Sequence, residues 1–183
     1  MTFSNTGDVD LDETDLRILA LVQEDCRTAL ARIGESVGLS APAVLERMKK
    51  LEASGVITGY RAILDGGRLG LDITAFIGVI VDHPSHISVF EGQVSSLPDV
   101  LECHHVTGSH TFLLKIKTQN TSSLEGVISQ IRRLEGVSRT ETMVVLSTGV
   151  ERVQLPLHPL EPPPASNRRS RRNGTPALKG ASR

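Results

Sequence analysis

The chain has 183 residues and a mass of 19.7 kDa, with 39% hydrophobic and 22% charged residues. That suffices for one compact domain or two small ones, and it excludes a fibrous or wholly disordered chain. The formal net charge of −1 hides an acidic body, residues 1–150 at −6, and a basic end, residues 151–183 at +5, an asymmetry that signals a partner rather than a fold.

No apolar run approaches the ~20 residues that span a bilayer. The longest apolar stretch, Ile73–Val81, is strand-sized. The acidic N-terminus has no basic region followed by an apolar one, so no secretion signal is read there. Cys26 and Cys103 stand far apart, which excludes a disulfide scaffold and a paired-cysteine zinc site and points to a reduced, cytoplasmic protein. With no Trp, one Tyr and four Phe, the chain lacks the aromatic platforms that stack single-stranded nucleic acid.

Three helices are expected first. Asp12 is placed to N-cap a helix, with Asp15 reaching back as in a capping box and Leu11 and Leu16 at the positions of a hydrophobic staple. Ile18, Leu19 and Val22 supply its apolar face. Thr28 is the expected cap of a second helix, whose Leu30, Ile33 and Val37 recur at helical spacing and whose C′ position falls on Gly38. Ser40 caps a third, with Pro42 in its first turn, Leu45, Met48 and Leu51 as the expected buried stripe, and Gly55 at its end.

The joint between helices two and three is only Gly38-Leu39-Ser40, which makes a helix-turn-helix. Ser40, Ala41, Pro42 and Ala43 are small enough to approach base edges. Arg47 and Lys50, on the expected outward face, with Lys49 on the flank and Arg61 beyond, are placed to reach bases and phosphates. Segment 40–61 is +2 within the acidic half. The plainer alternative is a solvated helix face in a three-helix domain. Residues 55–65, GVITGYRAILD, read as a short hairpin or wing.

After a flexible connector, Asp65-Gly66-Gly67-Arg68-Leu69-Gly70, the pattern changes. Ile73–Asp82 is a central strand. Ile87, Phe90, Val94 and Leu97 make a helix stopped by Pro98. Val100–Thr107 and Phe112–Lys117 pair as a hairpin near Gly108. Leu124, Val127, Ile128, Ile131 and Leu134 make a second helix, capped by Thr121 or Ser122, and Val137–Leu146 is a last strand. The order β-α-β-β-α-β is that of a ferredoxin-like fold. Both faces of the last strand are apolar, which points to a second subunit covering the open face of the sheet.

Residues 156–183 are rich in Pro, Ser, Gly and Arg without periodicity and read as disordered. Arg168, Arg169, Arg171 and Arg172 there suit phosphates without reading sequence; the alternative is a solubilising tail with no role. Three chemical alternatives fall away. Cys103, His104, His105 and His110 are too divided between strand faces to make a metal site. His83 and His86 straddle Pro84 in a loop and make no metal site either. Gly34-Glu35-Ser36-Val37-Gly38 matches a nucleophile-elbow pattern, but Ser36 falls inside a helix rather than after a strand.

Four segments carry a resemblance: LDETDLRILALVQEDCR, ARIGESVGLSAPAVLERMKKLEASGVITGYRAIL, ECHHVTGSHTFLLKIK and RRLEGVSRTETMVVL. Over about residues 10–150 the chain resembles the Lrp/AsnC family of bacterial and archaeal transcription regulators. The resemblance implies an α+β protein, an N-terminal (winged) helix-turn-helix domain with a C-terminal ferredoxin-like βαββαβ domain of the RAM type. The implied division is residues 1–62, a linker 63–72, an effector and oligomerisation domain 73–153, and the basic tail 154–183. The implied partners are double-stranded DNA and a small effector, commonly an amino acid, within a homodimer that assembles further, often to octamers. No catalytic residue, metal or cofactor is implied, and the place of work is the nucleoid.

The family's effector turn falls on Thr107, Gly108, Ser109, His110 and Thr111. Many relatives have Asp where this chain has Thr111, so a standard amino-group contact is not expected there, and His110 and Ser109 are the substitute hydrogen-bonding groups. The competing readings are a ligand-independent architectural DNA binder and, more remotely, a sirohaem decarboxylase, an enzyme class similar in both domains, whose aromatic-rich pocket segment this chain lacks.

Overall fold

A computed structural model describes residues 10–157, which form two compact units. Most of the tail read as disordered therefore lies outside the described residues. Among the described residues, the first unit comprises those to Tyr60 together with Val153–Leu157, and the second comprises Arg61–Arg152.

In the first unit α1 (Glu13–Glu24), α2 (Leu30–Val37) and α3 (Ala41–Ala53) pack around Ile18, Val22, Ile33 and Val44. The α1 capping box is formed as expected: the Asp12 carboxylate accepts the Asp15 backbone N–H at 2.7 Å, and Asp15 returns the bond at 3.3 Å. Thr28 does not cap α2. Its N-cap is Ala29, which has no side-chain acceptor to offer. The stripe of α3 keeps Met48 and Leu51 but begins at Val44: Val44 and Leu51 are buried and Met48 packs against the core, whereas Leu45 is 41% exposed. Both registers satisfy a helical period, and the packing against α2 selects the one led by the β-branched residue. After α3 the backbone N–H groups of Val56 and Ile57 both turn back to the Leu51 carbonyl.

No strand forms over residues 55–65, so the expected hairpin or wing is absent from the single chain. A strand needs a partner for its N–H and C=O groups, and none of the described residues supplies one here. Ile63 and Leu64 are 80% and 70% exposed in this stretch. The connector is not featureless: residues Gly67–Leu69 make a short 3₁₀ turn.

The second unit is one antiparallel sheet with two helices on one face. Its strands are β1 (Ile73–Val81), β2 (Val100–His105), β3 (Phe112–Thr118) and β4 (Val137–Val144), in the order β2-β3-β1-β4. The helices are α4 (Ile87–Val94) and α5 (Thr121–Arg132). This is the expected ferredoxin-like arrangement. Ala75, Ile77 and Val79 of β1 and Phe112, Leu114 and Ile116 of β3 face the helices and are fully buried. Phe90 of α4 packs on Phe112 with ring centres 4.7 Å apart. Asn120, not Thr121 or Ser122, caps α5, with Ser123 closing the capping box. The last strand stops at Val144, and Leu146 beyond it is 97% exposed.

Candidate functional site

The helix-turn-helix rests on two glycines that act differently. Gly38 holds φ +74°, a left-handed conformation that ends α2 at its C-cap, as expected. Gly34 is buried within α2, where a Cβ would collide with the Leu39 carbonyl of the turn. The Leu39 N–H in turn donates to the Gly34 carbonyl at 2.9 Å. Only a hydrogen at position 34 lets the turn pass this close. Strand- or helix-pattern reasoning misses Gly34. The signal was a glycine kept in a helix interior, where it costs about 1 kcal/mol against alanine unless packing requires it.

Beyond the turn, the Ser40 hydroxyl accepts the Ala43 N–H at 3.4 Å and so starts α3. Pro42 is exposed and Ala41 and Ala43 are half-buried, a small-residue helix start open to an approaching surface. Lys49, Lys50 and Arg61 are exposed and form no ion pair among the described residues. Arg47 is placed otherwise. Its Nη1 lies 2.7 Å from both Asp12 Oδ2 and Asp15 Oδ1, so the guanidinium is held against the α1 capping box instead of standing free beside Lys50. Hydrogen bonds from Arg47 and from the Asp15 backbone hold the Asp12 carboxyl below its ordinary pKa, and the two carboxylates raise that of Arg47. Asp15 is only 4% exposed, so this pair carries a charge otherwise buried without a counter-ion.

In the second unit the expected effector residues do not share one environment. Thr107, Gly108 and Ser109 are exposed, with Gly108 at φ +113° and open space where a Cβ would stand. Thr111 is committed to the sheet: its N–H donates to the Val79 carbonyl at 2.8 Å, and its hydroxyl accepts the Val81 N–H at 3.1 Å. The His110 ring lies down over Gly78 on the face of the sheet away from the helices. There its Nε2 is 3.2 Å from Glu141 of β4 and its Nδ1 is 3.2 Å from the Ser109 hydroxyl. A Cβ on Gly78 would stand 2.5 Å from His110 Cδ2. Gly78 and Glu141 were not anticipated, although a glycine inside an apolar strand marks a close approach.

The register divides the cysteine and histidines of β2 between the two faces of the sheet. Cys103 and His105 pair with Leu114 and Phe112 on the helix face, while His104 pairs with Leu113 on the other. The His105 ring stacks on Phe112 at 4.9 Å, and burial raises the Cys103 thiol pKa. Among the described residues no three His, Cys, Asp or Glu side chains converge on a metal position. Ser36 lies within α2, so the elbow pattern has no strand-turn-helix around it. The open sheet face carries a charge chain instead: Glu102 meets His104 at 3.0 Å and Lys115 at 3.3 Å, and Lys115 meets Glu151 at 2.6 Å. No described helix is long and apolar enough to cross a membrane.

Comparison with known proteins covers both units. Residues 11–52 match the AsnC-type helix-turn-helix domain, and residues 74–155 match the Lrp/AsnC ligand binding domain. The chain is 35% identical over 149 residues to the HTH-type transcriptional regulator FL11 of Pyrococcus horikoshii, covering 81% of this chain and 98% of that one. It is 38% identical over 141 residues to the leucine-responsive regulatory protein of Rhizobium meliloti, covering 75% and 90% respectively. Among solved structures, AsnC of E. coli superposes with a TM-score of 0.75 at 28% identity, over 79% of this chain and 98% of that one. A transcriptional regulator of Neisseria meningitidis, in a complex with L-Met, superposes with a TM-score of 0.77 at 30% identity, over 80% and 97%.

Proposed function

Because the chain belongs to the Lrp/AsnC family of helix-turn-helix transcription regulators, we propose that it binds operator DNA through α3 and answers to an amino acid at the 107–111 turn. The observation that carries the DNA reading is the Gly34–Gly38 turn, which sets α3 on α2 with the Ser40–Ala43 start open and Lys49 and Lys50 free. Ser40, Ala41, Pro42 and Ala43 approach the bases, and Lys49, Lys50 and Arg61 neutralise phosphates. Arg47 acts from behind, as the bracket that holds α3 to α1. Selection of duplexes from a random library tests this: a shared motif should emerge, and Lys50→Ala should weaken binding to it. Absence of any enriched motif would favour the architectural reading.

The effector reading is supported by the open turn and by the L-Met complex of the Neisseria relative. A surface cleft of about 320 Å³ lies beside Arg132 and Val137–Thr140 and another of about 250 Å³ between α1 and α2; neither is lined by the turn. The effector reading assigns the remaining walls of a pocket at 107–111 to a second copy. Unpaired Ile63 and Leu64, and the 45% exposed Met143 on the open sheet face, support a homodimer that assembles further. A thermal-shift screen against the twenty amino acids, with the mass distribution followed in parallel, tests both points. If no amino acid changes either readout, the protein is a ligand-independent architectural binder.

A further inference from the structure

A zwitterion needs a partner for each of its charges, and the 107–111 turn alone answers only one. The Val106 N–H donates to the Thr111 carbonyl at 3.0 Å and closes the turn. Between them the backbone N–H groups of residues 107–110 donate to nothing among the described residues, and Gly108 leaves open space beside them. Successive N–H groups with no carbonyl opposite favour an anion. The side chains of the turn add hydroxyls and one imidazole, but no carboxylate for a cation.

One carboxylate reaches the turn from another strand. Among the described residues Glu141 is the only Asp or Glu within ion-pair or hydrogen-bond distance of residues 107–111, through His110. Glu141 pairs with Gly78 across the β1–β4 ladder, and the missing Cβ of Gly78 lets the His110 ring lie between the turn and the carboxylate. The neutral tautomer that serves both ring contacts carries its proton on Nε2. The Ser109 hydroxyl then donates to Nδ1, and Nε2 donates to Glu141 Oε2, each at 3.2 Å. Glu141 Oε1 makes no hydrogen bond among the described residues, and Arg139, two positions earlier in β4, forms no ion pair with Glu141. The Glu141 side chain is 56% exposed against 20% for His110. The ring is a spacer, and the charge beyond it is open.

We propose that Glu141 receives the ammonium group of the effector while the N–H groups of the turn receive its carboxylate, with His110 as the positioning residue that sets the carboxylate in place. This rests on the effector reading above and narrows it. The ligand class is one with a protonated amino group, and an α-hydroxy acid of the same side chain is refused, because a neutral hydroxyl forms no charge-assisted pair with Glu141.

The test uses the full chain. The probes are the twenty amino acids and, for each that raises the melting temperature, the α-hydroxy acid with the same side chain. Wild type should bind the amino acid roughly tenfold or more tightly than its hydroxy analogue, the worth of a hydrogen bond to a charged group. Glu141→Gln keeps the size and removes the charge, so it should bring the two affinities together; Glu141→Asp should restore part of the preference. His110→Ala should reduce the preference in part, which a merely structural ring would not do. Melting without ligand shows that each variant folds. Equal binding of amino acid and hydroxy acid by wild type overturns the proposal without any variant. So does a preference that survives in Glu141→Gln. If no amino acid binds the wild type, the effector reading itself falls and takes this assignment with it.

Discussion

Arg47 Nη1, on the third helix, stands 2.7 Å from the Oδ1 of Asp15, a first-helix carboxylate whose side chain is 5% exposed. A charge that deep needs its counter-ion, so the pair acts on stability before it acts on DNA. Arg47→Ala should destabilise the unit by about 1–3 kcal/mol, the cost of leaving a buried acceptor unsatisfied. Urea unfolding measures it. An unchanged midpoint, with a selective loss of operator affinity, would return Arg47 to direct base reading.

The same network sets a pH dependence. Arg47 and the Asp15 backbone depress the folded-state pKa of Asp12 below its unfolded value. A depressed carboxylate contributes stability that is fully present above about pH 4 and is lost as pH falls through the folded pKa. The stability gap between wild type and Arg47→Ala should therefore narrow on acidification below about pH 4. A gap that stays constant down to pH 2.5, about a unit and a half below the ordinary Asp value, would show that Asp12 is not part of it.

The two turn glycines should fail differently. Gly38→Val forces a β-branched residue to φ +74° and should cost about 1–2 kcal/mol, while Gly38→Asn, which tolerates that region, should cost less. Gly34→Ala meets backbone, not conformation, and moves the turn itself. Its operator affinity should fall by more than its melting temperature accounts for. Equal affinity losses per kcal/mol in the two variants would show that Gly34 has no special part in placing α3.

On the DNA-binding reading, Lys50, exposed and without an ion pair among the described residues, is the simplest phosphate contact to remove. Lys50→Ala should weaken binding almost uniformly across sequences and lower the salt slope by about 1. A sequence-selective loss would mean that Lys50 reads a base.

Gly78 and His110 make the effector half testable. Gly78→Ala should lift the His110 ring from the sheet and break its 3.2 Å approach to Glu141. The His110 ring resonances should shift by NMR, and the amino-acid response should change while DNA binding without effector persists. An unaltered response would place the pocket away from His110.

What the sequence made legible follows from range. Caps such as Asp12 and Ser40, and the positive φ of Gly38, are decided within four residues, and they were readable. The α3 register was not, because Leu45-Met48-Leu51 and Val44-Met48-Leu51 both fit a helix and only packing across elements separates them. Arg47 looked free because its partners lie 32 and 35 positions away. His110 read as a turn donor because nothing local reveals that Gly78, in another strand, leaves it a bed. The wing failed because β pairing is a property of two segments, and residues 55–65 have only themselves.

That solitary ribbon bears on the protein's life in the cell. Ile63 and Leu64 stand almost bare on backbone that no strand among the described residues pairs with. Backbone of this kind is what proteases cleave and what seeds misassociation. On the dimer reading, each newly made chain is vulnerable until it meets another, so its half-life lengthens as its own abundance rises. Expression level would then set turnover as well as occupancy of DNA, and a scarce regulator would be cleared faster than a plentiful one.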